Sequence, residues 1–561
     1  MPSFISRLPI FNTYTFTHST RRWLPLIGAV ILASIATIVV TWPQFLAPTK
    51  VVDHFDPYFS VWRLGHIAHA LKRWPIALFD ANIFYPAKGT LAYSDATLLE
   101  GVLAAPLFWA GVAPTLIYNV LLYAGFVLSG AAIFVLARHL TRSIQASFIA
   151  VVIFVMLPYR VEHLMHLELQ WAAFIPLTFW AMHRTAESGR WRDAVLAGLF
   201  TWLQFVACIY YGVFLALVLL LFAPLLLLLP EQRSRRSFIL KMSVCGAVTA
   251  LLVLPYLWPY YEASRVVGVR RTDEIVQFSA RLTNYFATSE WNRLWGWTAD
   301  RWGAMELRLF PGAIALALAA ASLFHRRWRH VAIYAVVVGI AVELSLGLNG
   351  SVYGPLLEYI TPLRAFRAVA RFAIIVGFGV AMLAAFGAQA LLRATPRPMQ
   401  RWLGLALIVL LFIEYSNRDI PLVPGVAAKP ADAYRVLKDA EKGAIVELPL
   451  PDMDLSPRPP GFDPYYQAWS VWHWRPLVNG YSGFTPAAYE QFAADLKGFP
   501  DDRSVKALRT LQVRYVLVHQ AFYPPADYAD LALKLATSSA LTLWGTYKDP
   551  VGSANIIEVA P

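Results

Sequence analysis

The chain has 561 residues, of which 58% are hydrophobic and only 15% charged, against roughly 25% charged in an ordinary soluble domain. This excludes a soluble globular enzyme and a protein with a single anchor; it predicts a polytopic membrane protein. The formal charge of +13, from 48 Lys and Arg against 35 Asp and Glu, reads as basic cytoplasmic loops and not as nucleic-acid binding.

Apolar segments of spanning or near-spanning length occur at 23–43, 115–137, 144–158, 168–183, 192–208, 210–229, 239–258, 308–324, 331–348, 366–392 and 401–415. The first, preceded by Arg7, Arg21 and Arg22, is longer than the roughly 7–15 residues of a signal-peptide core and reads as an uncleaved transmembrane helix. Basic clusters fix the sidedness. They are Arg138/Arg142, Arg184/Arg190/Arg192, Arg233/Arg235/Arg236, Arg326/Arg327/Arg329 and Arg393/Arg397/Arg401, each where a cytoplasmic loop belongs if the N-terminus is cytoplasmic. The fold class is therefore mainly α, a bundle of about 11 transmembrane helices with an external C-terminus. The only cysteines, Cys208 and Cys245, lie in apolar segments as small hydrophobes, without a disulfide framework.

Residues 97–113 are apolar but carry Glu100 and Pro106, and a crossing there would put Arg138 and Arg142 outside. They read as an interfacial or re-entrant helix within a first external loop, 44–114. In that loop Val61, Leu64, Ile67, Ala68 and Leu71 recur at helical spacing, with Arg63, His66, His69 and Lys72 elsewhere, as in an amphipathic helix lying on the membrane. Residues 259–305 form a second external loop, rich in Trp and Arg. Residues 1–415 thus make a transmembrane domain and 416–561 an extracytoplasmic α/β domain. The latter has strand-like runs at Ala444–Leu448, Val513–His519 and Asn555–Val559 and helical stretches near 430–442 and 486–497.

Several polar groups share the outer face. Asp53 and Asp56 follow the first span almost at once, where charge beside a bilayer is costly and therefore a functional candidate. Asp56 precedes Pro57, so it serves equally as a helix start. Arg364, Arg367 and Arg371, at i, i+3 and i+7, fall on one face of a helix opening the span 366–392. Three guanidiniums at a positive helix end call for an anion, either a specific lipid phosphate or bulk head groups. The run Glu162-His163-Leu-Met-His166-Leu-Glu168 lacks the zincin pattern and reads as a polar interfacial turn. With Arg160, it shares the acids' face and is able to line an acceptor site. Glu306 stands before Leu309-Phe-Pro-Gly312 as an orienting acid or a helix-start charge, and Asp95 as the N-cap of the interfacial helix.

The order of a transmembrane helix, an acidic pair, an amphipathic helix, an interfacial helix and a second span ending in Leu136-Ala-Arg-His-Leu-Thr141 resembles the N-terminal half of GT-C glycosyltransferases. The protein-mannosyltransferase and aminoarabinose-transferase branch is the nearest comparison. Over nearly its whole length the chain resembles a group of bacterial membrane proteins of that type. The shared stretches are Asp80-Ala-Asn-Ile-Phe-Tyr-Pro86, Tyr93-Ser-Asp95, Leu157-Pro-Tyr-Arg160, Leu309-Phe-Pro-Gly312, Arg367-Ala-Val-Ala-Arg-Phe372 and Asn479-Gly-Tyr-Ser-Gly-Phe484. No oligosaccharyltransferase WWDYG motif is present in the sequence.

The resemblance implies a membrane glycosyltransferase in the bacterial inner membrane. Its donor is a polyprenyl-phosphate sugar lipid, and its acceptor an extracytoplasmic glycan, lipid or protein. It implies that Asp53 or Asp56 acts as base or metal-associated residue. Asp53 is the readier candidate, because Asp56 has a structural role beside Pro57. Any metal on oxygen ligands is expected to be Mg²⁺ or Mn²⁺. The residues expected at the donor phosphate are Arg364, Arg367 and Arg371; at the acceptor they are Asp95, Arg160, His163, His166 and Glu306. The alternatives are a flippase for lipid-linked sugars and a non-catalytic envelope protein of the same fold.

Overall fold

The computed structural model describes residues 14–73, 77–452 and 461–560; the expectation at Arg7 lies outside them. The chain opens with α1 (Tyr14–Val40), a short strand β1 (Lys50–Val52), α2 (Asp56–Arg73) and α3 (Leu98–Trp109). Then α4 (Pro114–Thr141), α5 (Ile144–Val155), its brief continuation α6 (Pro158–Glu162), α7 (Phe174–Ser188), α8 (Trp191–Ala207), α9 (Ile209–Leu226) and α10 (Arg235–Val267) run back and forth. Two short helices, α11 (Thr272–Gln277) and α12 (Ala299–Trp302), precede α13 (Ala313–Ala321), α14 (Trp328–Ser345), the short α15 (Tyr353–Tyr359), α16 (Ala373–Ala394) and α17 (Arg397–Glu414).

The chain is a multi-pass membrane protein. Among the described residues seven segments are long and apolar enough to cross a bilayer: Trp23–Val40, Pro114–Thr141, Ile144–Glu162, Ile209–Leu226, Arg235–Val267, Trp328–Ser345 and Val369–Ala394. The expected segments 168–183, 192–208, 308–324 and 401–415 form the shorter or more polar helices α7, α8, α13 and α17. At one end of the bundle the basic loops meet: Arg327 donates to the Leu140 carbonyl (3.1 Å), the Arg233 amide to Ala186 (3.0 Å), and Gln145 to Gln400 (3.3 Å). The acids of the first loop lie at the other. The bundle packs around α16, which is buried from Ala373 through Gln389. Gly387 lets α13 approach it so closely that a Cβ there would lie 1.7 Å from the Leu318 carbonyl oxygen.

The helix α3 has 12 residues, about 18 Å at 1.5 Å per residue, too short for the roughly 30 Å hydrocarbon core. The expectation for α2 needs correction. It is not a surface helix on the membrane: Pro57 through Ala68 are buried, Arg63 and His66 among them. Its polar face is covered by protein. Arg63 donates to Ser60, the Asp95 carbonyl and Glu168, and His69 stacks on Trp474 at 4.6 Å.

After α17 the chain returns to the first loop, where β2 (Leu422–Pro424) pairs antiparallel with β1. The C-terminal sheet has the order β3-β4-β6-β5. Its strands are β3 (Ala444–Leu448), β4 (Val513–His519), β5 (Leu541–Asp549) and β6 (Gly552–Val559), with β3 and β4 parallel and the other pairs antiparallel. The expected helices appear as α18 (Asp432–Asp439) and, after α19 (Asp463–Trp469), as α20 (Ala487–Asp495); α21 (Asp502–Thr510) and α22 (Pro525–Thr537) complete the fold. The stretch Asp80–Pro86 is the strip on which this region docks. Leu477 donates its amide to Asn82 (2.7 Å), and Tyr85 and Phe84 donate theirs to Leu477 (3.0 Å) and Asn479 (3.2 Å).

Candidate active site

Asp56 opens α2, yet its carboxylate is turned to other side chains. Oδ2 lies 3.1 Å from His166 Nε2 and 3.3 Å from His54 Nδ1, and Oδ1 accepts the Tyr481 hydroxyl at 2.9 Å. Only 14% of the side chain is accessible. Burial would raise its pKa, but His166 and His54 hold it well below the usual carboxylate range. His54 moves the other way: burial lowers its pKa, and the hydrogen bond and charge of Asp56 more than restore it. Asp53 does not converge on this centre. It stands exposed at the end of β1, its amide on the Pro421 carbonyl at 3.0 Å.

From His166 the network continues inward. Arg371 Nη2 is 3.4 Å from His166 Nε2, and Arg371 pairs with Glu306 through Nε (3.2 Å) and Nη2 (2.9 Å). Burial pushes the Glu306 carboxyl up, but Arg371, with help from His166, brings it down to about 2. Glu306 sits at φ +67, a region that non-glycine residues rarely occupy. Its amide is held there by Glu162 Oε1 at 3.2 Å, and Glu162 also pairs with Arg308 (3.3 Å). Each polar residue of the Glu162–Glu168 run therefore has its own task. Glu162 fixes the Glu306 loop, and His166 meets Asp56. Glu168 pairs with Arg63 at 2.8 Å. His163, buried against Tyr159 at 4.5 Å, is kept neutral by desolvation.

The three expected arginines do not share a helix face. Arg364 lies in a 3₁₀ turn (Thr361–Ala365), Arg371 in another (Val369–Phe372), and α16 begins only at Ala373. Arg364 is exposed, and its carbonyl accepts the Arg270 amide at 3.1 Å. Arg270 takes its place among the cations. Its guanidinium lies 3.7 Å over Phe484, donates to the Gly483 carbonyl at 2.6 Å, and is pushed down in pKa by burial and by Arg367 nearby. Arg367 rests over Phe278 at 4.8 Å and Arg371 over Tyr210 at 5.1 Å. Tyr210 in turn packs edge-on against Phe366 at 4.8 Å, at the border of a separate apolar cluster around Val206, Ile209 and Tyr256.

Two further expectations are corrected. Arg160 is committed to structural partners: it is fully buried, donates to Gln170 and to the Phe154 carbonyl, and stacks over Phe126 at 4.1 Å. Asp95 is buried behind Arg63 and accepts the amide of Ile209 at the start of α9 (2.8 Å), as well as that of Thr97 (3.3 Å). Burial and the neighbouring Glu168 raise its carboxyl to about 7. Nor do Asp53 and Asp56 fit Mg²⁺ or Mn²⁺ as a pair. One is exposed, and both oxygens of the other face hydrogen-bonding neighbours, with Arg371 behind. Among the described residues no group of three or more His, Cys, Asp or Glu is arranged to hold a metal ion.

Neither a protein-family profile nor a curated protein matches the chain. Among solved structures, arabinofuranosyltransferase AftD from mycobacteria superposes with a TM-score of 0.60 at 15% identity, over 96% of this chain and 42% of that one. This chain shares its fold with the aligned part of AftD. It spans under half the length of AftD. Archaeal oligosaccharyltransferase AglB from Archaeoglobus fulgidus, solved with an inhibitory peptide and a dolichol-phosphate, aligns over 96% of this chain and 74% of its own at 12% identity, with a TM-score of 0.48.

Sequence reasoning missed His54, Tyr481 and Arg270. His54 stands between the two acids and Tyr481 within a quoted motif, so a signal for both was present. Arg270 carried none.

Proposed function

We propose that the chain is a GT-C-type glycosyltransferase that moves a sugar from a polyprenyl-phosphate donor to an extracytoplasmic acceptor, with Asp56 rather than Asp53 receiving the acceptor proton. The observation that carries the reading is a carboxylate ringed by His54, His166 and Tyr481, with Arg371 Nη2 3.4 Å from the same His166 nitrogen. The acceptor oxygen attacks the anomeric carbon as the bond from that carbon to the phosphate oxygen breaks. The proton passes to Asp56, and the lipid phosphate departs with the electron pair. Arg371, Arg367 and Arg270 supply fixed positive charge for that departing group. The apolar cluster bordering Tyr210 suits a prenyl chain whose phosphate lies against these guanidiniums. Glu306 holds Arg371 in the absence of phosphate, and no step uses a metal. The basic loops at the opposite end support placing the site outside the cytoplasm, in a bacterial inner membrane.

The test is Asp56→Asn beside Asp53→Asn in purified protein, with the polyprenyl-phosphate lipid fraction of the source organism as donor and octyl glycosides as acceptors. Asp56→Asn is expected to lower transfer by at least about 100-fold with donor binding retained, the range of a lost proton acceptor. Asp53→Asn should stay within about threefold of the parent. Transfer that survives in Asp56→Asn overturns the proposal.

A further inference from the structure

The C-terminal region reaches into the site through one loop, Asn479-Gly-Tyr-Ser-Gly-Phe484. Its root is firm. Asn479 is fully buried, donates to Asp463 Oδ1 and the Glu447 carbonyl (both 2.9 Å), and accepts the Glu447 amide (2.7 Å). Tyr481 donates its amide to Gln467 Oε1 (2.7 Å), and its ring meets Phe59 of α2 edge-on at 5.5 Å. The far end is held by Arg270, through the Gly483 carbonyl and the Phe484 ring. Gly483 runs so close to the first loop that a Cβ would lie 2.7 Å from the Tyr93 carbonyl oxygen. The loop is thus a fitted cover, rooted in its own region and on Phe84, with its far end held by Arg270.

What the cover does follows from where Tyr481 points. Asp56 Oδ2 faces His166 Nε2 at 3.1 Å and lies 3.3 Å from His54 Nδ1, which also accepts the Asp56 amide (3.2 Å). Oδ1 is occupied by a hydroxyl brought in from the C-terminal region. An alcohol about to lose its proton to a carboxylate sits at roughly 2.6–3.2 Å from an oxygen. The Tyr481 hydroxyl, at 2.9 Å, fills that position with the same chemical group. It stays a donor there, since burial and the Asp56 charge both raise its own pKa. An acceptor hydroxyl and the tyrosine hydroxyl cannot both hold Oδ1.

We infer that the Asn479–Phe484 loop is a gate on the acceptor side, in which Tyr481 holds the acceptor's place on Asp56 and is displaced when an acceptor alcohol binds. The inference rests on Asp56 as proton acceptor. It makes Tyr481 a specificity-determining residue: it bars water from the carboxylate, and only an acceptor with enough further contacts evicts it. Arg270 ties the gate to the donor side. A phosphate that draws its guanidinium away from Gly483 loosens the loop, so the acceptor position opens once donor is bound.

The experiment uses full-length Tyr481→Phe in detergent micelles, with the polyprenyl-phosphate fraction of the source membranes as donor. Free sugar released to water is read by mass spectrometry, and KM and kcat are measured for octyl-glycoside acceptors. A lost hydrogen bond to a charged group predicts about a tenfold rise in sugar release to water and about a tenfold fall in acceptor KM, with kcat within about threefold of the parent. Gly483→Ala, which pushes the loop off Tyr93 without touching the phenol, should raise sugar release in the same direction. The gate is overturned if Tyr481→Phe lowers kcat tenfold at unchanged KM, the mark of a group that merely orients Asp56, or if neither variant raises release to water. Asp56→Asn separates the two levels of the argument. If it retains transfer, the proton-acceptor reading falls first; if it abolishes transfer and release while Tyr481→Phe lowers kcat alone, only the gate falls.

Discussion

Glu306→Gln tests the centre of the polar network. The carboxylate is buried to 16% side-chain exposure, and its Oε2 accepts both Nε and Nη2 of Arg371, itself 9% exposed. A carboxyl brought from 4.5 to about 2 contributes about 3 kcal/mol of stability at neutral pH, since each tenfold change in the acid constant is about 1.4 kcal/mol. That agrees with the roughly 3–5 kcal/mol lost when one partner of a buried ion pair is removed. The sign is fixed by the direction of the shift. A depressed carboxyl stabilises fully above its unfolded value of 4.5, and the contribution disappears as pH falls through about 2. Reversible unfolding in mixed micelles should therefore separate wild type from Glu306→Gln by about 3 kcal/mol at pH about 7, with the gap shrinking below pH about 4.5. Glu306→Gln combined with Arg371→Gln should be less destabilised than the sum of the two, by about 2 kcal/mol. A neutral-pH gap under about 1 kcal/mol, or one that does not narrow on acidification, would show that Arg371 does not hold Glu306 as described.

Three further outcomes are expected. Arg160→Met should cost about 2–4 kcal/mol by stranding the buried oxygens of Gln170 and Phe154, with acceptor KM unchanged; a shifted KM would return Arg160 to the acceptor site. Gly387→Ala should cost about 1–3 kcal/mol in the same unfolding assay by forcing α13 from α16, and an unchanged midpoint would mean that the contact is loose. His166→Gln removes the largest charge holding Asp56 down, so the acidic limb of the pH–rate profile should move up toward the ordinary value of about 3.9. An unmoved limb would mean that Asp56 does not set it.

The bundle was legible because its signals are local. The basic clusters named from sequence are the loops that meet at one end, and the strands at Ala444–Leu448 and Val513–His519 appear with the expected bounds. What misled was context. The apolar positions of α2 do repeat with helical period, but periodicity says only that one face is apolar. Its other face is polar because Arg63 has Glu168 and Asp95 as partners, not because it meets water or lipid head groups. The spacing i, i+3, i+7 of Arg364, Arg367 and Arg371 implies one face only if the backbone is helical throughout, and it opens at Phe366–Ala368. Asp56 looked like a helix start because it is one; its second role lies in partners 110 and 425 residues away in sequence, which no local pattern records.

The distribution of acids also bears on the transporter alternative. A carrier of lipid-linked sugars needs ionisable groups free to change partners within the spans. Glu343 is used instead on the amides of Ser351 (2.6 Å) and Val352 (3.1 Å), and Glu414 on those of Ala313 (2.6 Å) and Ile314 (3.1 Å) with the Trp295 indole (3.1 Å). Both close helix ends. Other ionisable groups are paired elsewhere, as Arg63 is with Glu168 and Arg308 with Glu162, but one set gathers at a single place. There Asp56 and Glu306 face His54, His166, Arg371, Arg367 and Arg270, so cations outnumber carboxylates. An excess of fixed cations around one buried, ionised acid suits a reaction that delivers a proton to the acid while a phosphate departs among the arginines.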